Sequence, residues 1–119
     1  MGHTWVKIKI FGTDRKTSKE IELLVDTGST YTWVLADNLH GLGIAPKEKK
    51  LFKTIEGRTV ERQIGEALIE YNGETVTTIV VFALPSDSQV FGVYALEGLG
   101  LEIDPLTKTL KKAEALLAI

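Results

Sequence analysis

The sequence predicts a small all-β domain, and three patterns indicate it. Residues 4–10 form a strand-like segment that ends in strict alternation, Lys7-Ile8-Lys9-Ile10, as expected for a half-buried strand. Strand-like segments flank the turn formers Glu56-Gly57 and Asn72-Gly73, which predicts two hairpins. Residues 78–83 are a nearly continuous apolar run, typical of a strand that is covered on both faces.

The composition places the chain among ordinary globular proteins. With 119 residues, we expect a single domain over residues 1–119. A formal net charge of −2 excludes a strongly basic surface, so we expect no nucleic-acid partner. The absence of cysteine excludes disulfides, thiolate zinc sites and cysteine nucleophiles. No apolar run approaches the length of a membrane span, and we therefore expect no membrane partner and a cytoplasmic location.

The first half of the chain is predicted to contain three strands, at residues 4–10, 19–25 and 31–35. A polar loop joins the first two into a hairpin that delivers Asp26. The turn formers Ala36-Asp37-Asn38 are expected to end the third strand. Residues 38–50 contain two glycines and Pro46, which predicts an irregular connection with room for one helical turn.

The second half is predicted to contain the two hairpins and several shorter elements. We expect strands at residues 51–55, 58–64, 66–71, 75–83, 90–91 and 101–104, with one or two helical turns over 94–99. The structure of residues 110–119 is left as either a helix or a strand. Their alanine, leucine, glutamate and lysine content favours a helix by propensity.

An aspartate at the end of an apolar strand is the clearest candidate for chemistry. Residues 21–25 run directly into Asp26-Thr27-Gly28-Ser29, so we expect the carboxylate at the end of a buried element, where water is scarce. Gly28 can adopt a positive φ or let a backbone N–H approach the carboxylate closely. Ser29 supplies a hydroxyl that can hydrogen-bond the carboxylate. The pattern indicates an aspartate that is held for chemistry.

Asp26-Thr27-Gly28-Ser29, after a Leu-Leu-Val run, resembles the active-site motif of aspartic proteases. Val90-Phe91-Gly92, followed by a short helical segment, resembles the motif that lies across from the aspartate turn in retropepsin-like domains. The chain is therefore similar to a single-domain, retropepsin-like (retroviral-type) aspartic protease of the prokaryotic kind, over roughly residues 4–104. This resemblance implies a closed β-barrel with one short helix and one lobe per chain.

Such an enzyme needs two carboxylates, one ionised and one protonated, and this chain has one Asp-Thr-Gly. Its other aspartates are expected in turns or in solvent, which favours a structural role over a catalytic one; they are Asp14, Asp37, Asp87 and Asp104. The second carboxylate must then come from another copy of the chain. The resemblance thus implies a homodimer that acts on a peptide or protein substrate, with no metal and no cofactor.

The resemblance also assigns roles around the aspartate. Thr27 would bond across the two-fold axis, Gly28 would place its amide near the carboxylates, and Ser29 would hydrogen-bond Asp26. Gly92 would belong to the opposing motif. Tyr94 departs from the polar residue that many relatives carry at this position.

Two questions stay open at this point. The hairpin tip Ile55-Glu56-Gly57 is either the substrate-binding flap that the resemblance implies or the end of a plain surface hairpin. The chain is either an endopeptidase or a catalytically weak or inactive peptide-binding or scaffold module that retains the fold, and the intact Asp26, Thr27 and Gly28 favour the enzyme.

Because retropepsin-like subunits end in a strand that joins the dimer's shared sheet, we favour a strand for part of residues 110–119.

Overall fold

The computed structural model describes residues 3–113, and most of its elements are strands. Along these residues, the strands are β1 (Trp5–Phe11), β2 (Ser18–Val25), β3 (Thr32–Leu35), β4 (Glu48–Lys53), β5 (Thr59–Tyr71), β6 (Glu74–Ala83), β7 (Val90–Phe91), β8 (Leu101–Ile103) and β9 (Leu110–Lys112). The helices are α1 (Ala36–Gly41) and α2 (Val93–Gly98). Neither helix is long and apolar enough to cross a membrane, and no other helix occurs in residues 3–113.

Seven strands form one sheet in the order β1-β2-β7-β3-β6-β5-β4. The sheet returns to its first strand, because β1 also pairs with β5 through Lys9 with Glu70 and Ile10 with Ile69. The long strand β5 makes this possible, since it pairs with β4 near its start and with β6 and β1 near its end. The prediction of an all-β fold is confirmed.

The core lies inside this ring of strands. Along β1, the residues Val6, Ile8 and Ile10 are buried while their neighbours are exposed, which is the period-two pattern read from the sequence. Ile8 stands opposite Ile21 of β2, so two inward-facing side chains meet across the hairpin. Burial of each such side chain contributes about 1.5–3 kcal/mol to the free energy of unfolding.

Strand β6 is covered on both faces, as its apolar run predicted. Residues 80–83 are all buried, because one face of the strand points into the core and the helices α1 and α2 pack against it. The predicted hairpin turn before β6 is also confirmed. Asn72 and Gly73 have φ values of +50° and +82°, the left-handed pair that a type I′ turn requires.

The predicted end of β3 is confirmed, since the strand stops at Leu35. The residues that were expected to form a turn there instead begin helix α1 at Ala36. Asp37 lies in the first turn of this helix, where a negative charge is favourable. Leu39 is fully buried against the core, and its carbonyl oxygen accepts the N–H of Ile44 at 3.0 Å. The burial of Leu39 thus favours a helix where local residue types predicted a turn. The fold has two short helices and not one.

The C-terminal segment is a strand for part of its length. Leu110–Lys112 forms β9, which pairs antiparallel with β8 in a separate two-stranded sheet. The hydroxyl of Thr4 donates a hydrogen bond of 2.8 Å to the carbonyl oxygen of Lys108, and this bond ties the beginning of β1 to the turn before β9. The rest of the predicted tail, residues 114–119, lies outside the described residues.

Strand β7 lies between β2 and β3 and pairs with both. It runs parallel to β2, with Val25 beside Phe91, and antiparallel to β3. The residue that follows, Gly92, lies so close to the chain before β3 that a Cβ there would be 2.3 Å from the carbonyl oxygen of Tyr31. The φ of Gly92 is −93°, so the requirement for glycine is steric and not conformational. Its N–H donates to the hydroxyl of the buried Thr32 at 3.1 Å.

We expect Gly92→Ala to lower the free energy of unfolding by at least about 2 kcal/mol, because backbone atoms of Tyr31 cannot move aside cheaply for a methyl group. Urea unfolding measures the change. Gly41→Ala is the matched control: no atom lies within 4 Å of a Cβ there, and alanine in a helix is favourable by roughly 0.5–1 kcal/mol. Equal stability of Gly92→Ala and wild type would contradict the steric argument.

Candidate active site

The turn that carries Asp26 is an extension of the pairing between β2 and β7. The N–H of Asp26 donates to the carbonyl oxygen of Phe91 at 3.0 Å, which continues the ladder by one residue. The N–H of Ser29 then donates to the carbonyl oxygen of Asp26 at 3.1 Å and closes the turn. The apolar strand β2 therefore ends in the core at Val25, and Asp26 lies just beyond that end of the strand.

Gly28 places a backbone donor on the carboxylate. Its N–H donates to Oδ1 of Asp26 at 2.9 Å, and an ionised carboxylate is a strong acceptor for such a bond. A Cβ on Gly28 would lie 3.2 Å from the same oxygen. Of the two uses foreseen for this glycine, the close approach of the N–H is the one observed, since Gly28 is not among the residues with positive φ.

Two expectations about the aspartate turn are wrong. Asp26 is exposed in the single chain, because the turn projects beyond the ends of the paired strands β2 and β7 and no element of residues 3–113 covers it. The hydroxyl of Ser29 does not bond Asp26 and donates to the carbonyl oxygen of Tyr31 at 2.7 Å. This hydrogen bond to the carbonyl two residues ahead is a common local bond for serine, and it stabilises the C-terminal end of the turn.

Helix α2 holds the turn from behind. The N–H of Val93 donates to the carbonyl oxygen of Ser29 at 2.8 Å, and the N–H of Tyr94 donates to that of Thr30 at 3.1 Å. These bonds bring Gly92 against the turn. Tyr94, which departs from the family pattern, packs edge-on against the ring of Tyr31 with the centroids 5.6 Å apart.

One open cleft of about 780 Å³ contains Asp26 and the hairpin β4–β5. Among the site residues expected from the sequence, Asp26, Gly28, Ser29, Ile55 and Glu56 line it. The structure does not bring Thr27, Gly57 or Gly92 into its lining. Gly57 instead forms the hairpin tip with a φ of +87°, and the neighbouring Ile55 is fully exposed.

An aromatic cluster joins the tip-proximal end of β4 to residues beside and within β3. The ring of Phe52 on β4 meets Trp33 and Tyr31 edge-on, at centroid distances of 5.1 and 5.9 Å. Such pairs contribute about 0.5–1.5 kcal/mol each beyond their buried area. We name these three residues the aromatic floor. The sequence showed only that they are aromatic; their contact joins segments that are far apart in the chain.

A second link connects the hairpin to the loop before β7. Nε and Nη2 of Arg62 donate to the two carboxylate oxygens of Asp87 at 2.7 and 2.9 Å. Both side chains are largely buried, with 13% and 16% of their surfaces exposed. Asp87 lies in a turn, as predicted: its N–H donates to the carbonyl oxygen of Leu84 at 2.9 Å, and its carboxylate accepts the N–H of Leu84. The alternative of a solvated carboxylate is wrong, because Arg62 binds it. Sequence analysis did not single out Arg62, because no local pattern marks a partner 25 positions away.

This pair shifts the protonation of both groups. The hydrogen bond from Arg62 holds the pKa of Asp87 below its usual value, against the opposing effect of burial. The same bond raises the pKa of Arg62. Asp14 and Asp104 are Asx-turn residues, as predicted, and bonds from the N–H groups of Lys16 and Leu106, respectively, lower their pKa values.

We expect Asp87→Asn to lower the free energy of unfolding at pH 7 by about 1–3 kcal/mol, since it removes hydrogen bonds to a charged group. The folded-state pKa of Asp87 is depressed, so its contribution is complete above the unfolded pKa, near 4. That contribution is lost as the pH falls through the folded pKa. Urea titrations at pH 7, 4 and 2 should show the difference between wild type and Asp87→Asn shrinking.

The double-mutant cycle with Arg62→Met isolates the pair from the bond to Leu84. A coupling energy near zero, or a wild-type advantage that stays constant down to pH 2, would contradict this account.

Comparisons with known proteins agree with this geometry. The family model described as eukaryotic aspartyl protease matches residues 6–82. The solution structure of the simian foamy virus (mac) protease is 20% identical, with a TM-score of 0.55, and the match covers 79% of this chain and 92% of that one. The EIAV protease in complex with the inhibitor HBY-793 is 18% identical, with a TM-score of 0.62, over 98% of this chain and 94% of that one.

No curated protein sequence matches the chain significantly. The two viral proteases show the fold, a single small lobe built mainly of strands. The family model spans more than half of the sequence and includes the aspartate turn. The protein therefore belongs to the aspartyl protease family, with the single-lobe, retropepsin-like fold.

Proposed function

We propose that this protein is an aspartic endopeptidase that cleaves extended peptides by attack of water, with an active site shared between two copies of the chain. One observation carries the proposal: the carboxylate of Asp26 is exposed at an open cleft, and the other acids that line this cleft have different settings. Asp87 is bound by Arg62, and Glu56 lies in the hairpin tip. A second Asp26, from another copy, is the natural partner.

The proposed chemistry depends on two aspartate carboxylates that lie close together in one active site. In aspartic proteases as a class, the two carboxylates share one proton, because both cannot be ionised at short range. The ionised aspartate takes a proton from water as the water oxygen attacks the peptide carbonyl carbon. The protonated aspartate donates to the carbonyl oxygen, and the amine then leaves with a proton. In this chain, the N–H of Gly28 orients the carboxylate of Asp26.

Exposed residues near the aspartate turn support the homodimer. Thr27 is exposed next to Asp26, where its hydroxyl is free to bond across a two-fold axis. Trp5, which stands opposite Leu24 on the neighbouring strand, is 57% exposed. A self-complementary interface would cover this face and exclude water from the aspartates. The shared C-terminal sheet, the cytoplasmic location and the prokaryotic origin stay predictions from sequence.

The hairpin tip Ile55-Glu56-Gly57 is proposed as the flap. Its strands are held below the tip by the aromatic floor and by Arg62, while around Gly57 no atom lies within 4 Å of a Cβ position. Fixed strands with a free tip suit a lid that closes over a bound peptide and excludes water.

We expect Asp26→Asn to abolish peptide cleavage without loss of stability, because asparagine keeps the shape but cannot share the proton. Mixing the variant with wild type then tests the shared site. After complete subunit exchange in an equal mixture, about a quarter of the dimers carry two aspartates. The rate should fall to about half of that of the same amount of wild-type chain alone.

A ninefold excess of Asp26→Asn should lower the rate to about a tenth, since almost every wild-type chain then pairs with a variant. A rate that depends on wild-type concentration alone would show that each chain has a complete site. Tight peptide binding without cleavage of any library peptide between pH 4 and 7 would favour the peptide-binding module.

We expect Gly57→Val to raise KM and lower kcat, because valine resists the left-handed φ of +87° and crowds the peptide. Gly73→Val is the matched control. It has a similar φ of +82° and open space around it, but it lies in the β5–β6 turn, whereas Gly57 directly follows Ile55 and Glu56, which line the cleft. Both variants should lose similar stability, and only Gly57→Val should alter steady-state kinetics. Equal kinetic effects would mean that the hairpin is not a flap.

A further inference from the structure

The inner face of the flap hairpin, which lines the cleft, carries two cations on neighbouring strands. On β4 and β5, alternate residues line the cleft, namely Lys50, Phe52, Val60 and Arg62, while Lys49, Leu51, Thr59 and Glu61 do not. Lys50 stands directly opposite Arg62 in the register of the two strands. Like charges in this position repel each other, so an acidic group nearby would relieve a real cost.

The two cations of this pair differ in what neutralises them. Arg62 is neutralised by Asp87. Within residues 3–113, no carboxylate lies at ion-pair distance from Lys50. Its ammonium instead lies above the ring of Tyr31, 5.8 Å from the centroid. On the outer face of the same strand, Lys49 lies 4.0 Å from Glu61. Within residues 3–113, the lysine of the outer face therefore has an acidic partner, and the lysine of the inner face has none.

The rest of the cleft reinforces this local charge. Lys53 and Arg58 also line it, and neither makes an ion pair in the part of the chain that the structure describes. Four cations therefore face three acids, although the whole chain has a net charge of −2. Arg62 and Asp87 neutralise each other, which leaves three cations and two acids in the lining. This small excess of positive charge favours an acidic ligand.

We infer that the cleft selects peptides that carry a glutamate or aspartate close to the cleaved bond, and that Lys50 binds this side chain. This inference rests on the proposed function and specifies its substrate class. The ammonium of Lys50 supplies the charge, and the ring of Tyr31 beneath it supplies an apolar surface for the methylene groups of the acid. The aromatic ring also restricts the lysine to one region of the cleft, which lowers the entropy cost of binding the acid.

The test uses peptide pairs that differ only by glutamate or glutamine at one position. Starting from the peptide that wild type cleaves best, each of the three positions on either side of the cleaved bond is varied in turn. At one or more positions, kcat/KM should favour glutamate by up to about fivefold at low ionic strength, the range of a single exposed ion pair. Salt at about 0.5 M should reduce the preference.

Variants at neighbouring lysines identify the residue responsible. Lys50→Gln should abolish the preference for glutamate, and Lys50→Glu should reverse it in favour of a lysine peptide. Lys49→Gln makes the same change one position away, on the outer face, and should retain the wild-type preference. Equal loss of preference in Lys49→Gln and Lys50→Gln would overturn the assignment to Lys50, since it would mean that only net charge matters.

Binding to Asp26→Asn separates this inference from the proposed function. Cleavage with no preference between the paired peptides would overturn the inference and leave the endopeptidase intact. If wild type cleaves no peptide, the same glutamate and glutamine substitutions are made in the peptide that binds Asp26→Asn most tightly. Tighter binding of the glutamate members would then overturn the endopeptidase and support the acidic-ligand site. Equal binding of both members of every pair, together with equal cleavage, would overturn the role of Lys50.

Discussion

The close approach of Gly92 to the aspartate turn is the constraint on which the rest of the structure depends. Three segments that are far apart in the sequence, β2, β3 and β7, meet within a few ångströms there. Only a residue without a Cβ allows the contact, because the carbonyl oxygens of Tyr31 and Ser29 fill the space. The first amides of α2 then bind the carbonyl oxygens of the turn. The position of Asp26 thus depends on backbone contacts from elements on both sides of it.

The β4–β5 hairpin combines strands that are held in place with a free tip. Aromatic packing of Phe52 and the ion pair of Arg62 with Asp87 hold its strands to the sheet and to the loop before β7. Ile55, in the tip, is fully exposed. Segments with few buried contacts open at low free-energy cost. The tip can therefore move at a lower free-energy cost than the strands that carry it.

Charge is distributed unevenly over the same hairpin. Outer-face charges form ordinary surface pairs such as Lys49 with Glu61, which contribute little to stability. On the inner face, Arg62 is held by a largely buried partner. Lys50 lies over an aromatic ring and has no ion-pair partner among residues 3–113. The hairpin therefore has a cation in a structural ion pair next to one that, within these residues, has no acidic partner.

Local patterns in the sequence determined most of the strands and the aspartate turn. The alternation of residues 7–10, the Asn72-Gly73 turn and the approach of the Gly28 N–H to Asp26 all depend on neighbours within a few positions. Such signals survive in any tertiary context that buries one face of a strand. The resemblance of Val90-Phe91-Gly92 to a known motif added the element that crosses behind the turn.

Contacts through space decided what local patterns could not. Burial of Leu39 favoured helix α1 over the predicted turn. The hydroxyl of Ser29, which was expected to bond Asp26, donates to the carbonyl oxygen of Tyr31. Asp87 pairs with Arg62, 25 positions away in the sequence. The exposure of Asp26 is the most informative case. An apolar strand predicts a buried end, but the turn after β2 lies beyond the ends of the paired strands, so only the folded surface showed that the carboxylate is accessible in the single chain.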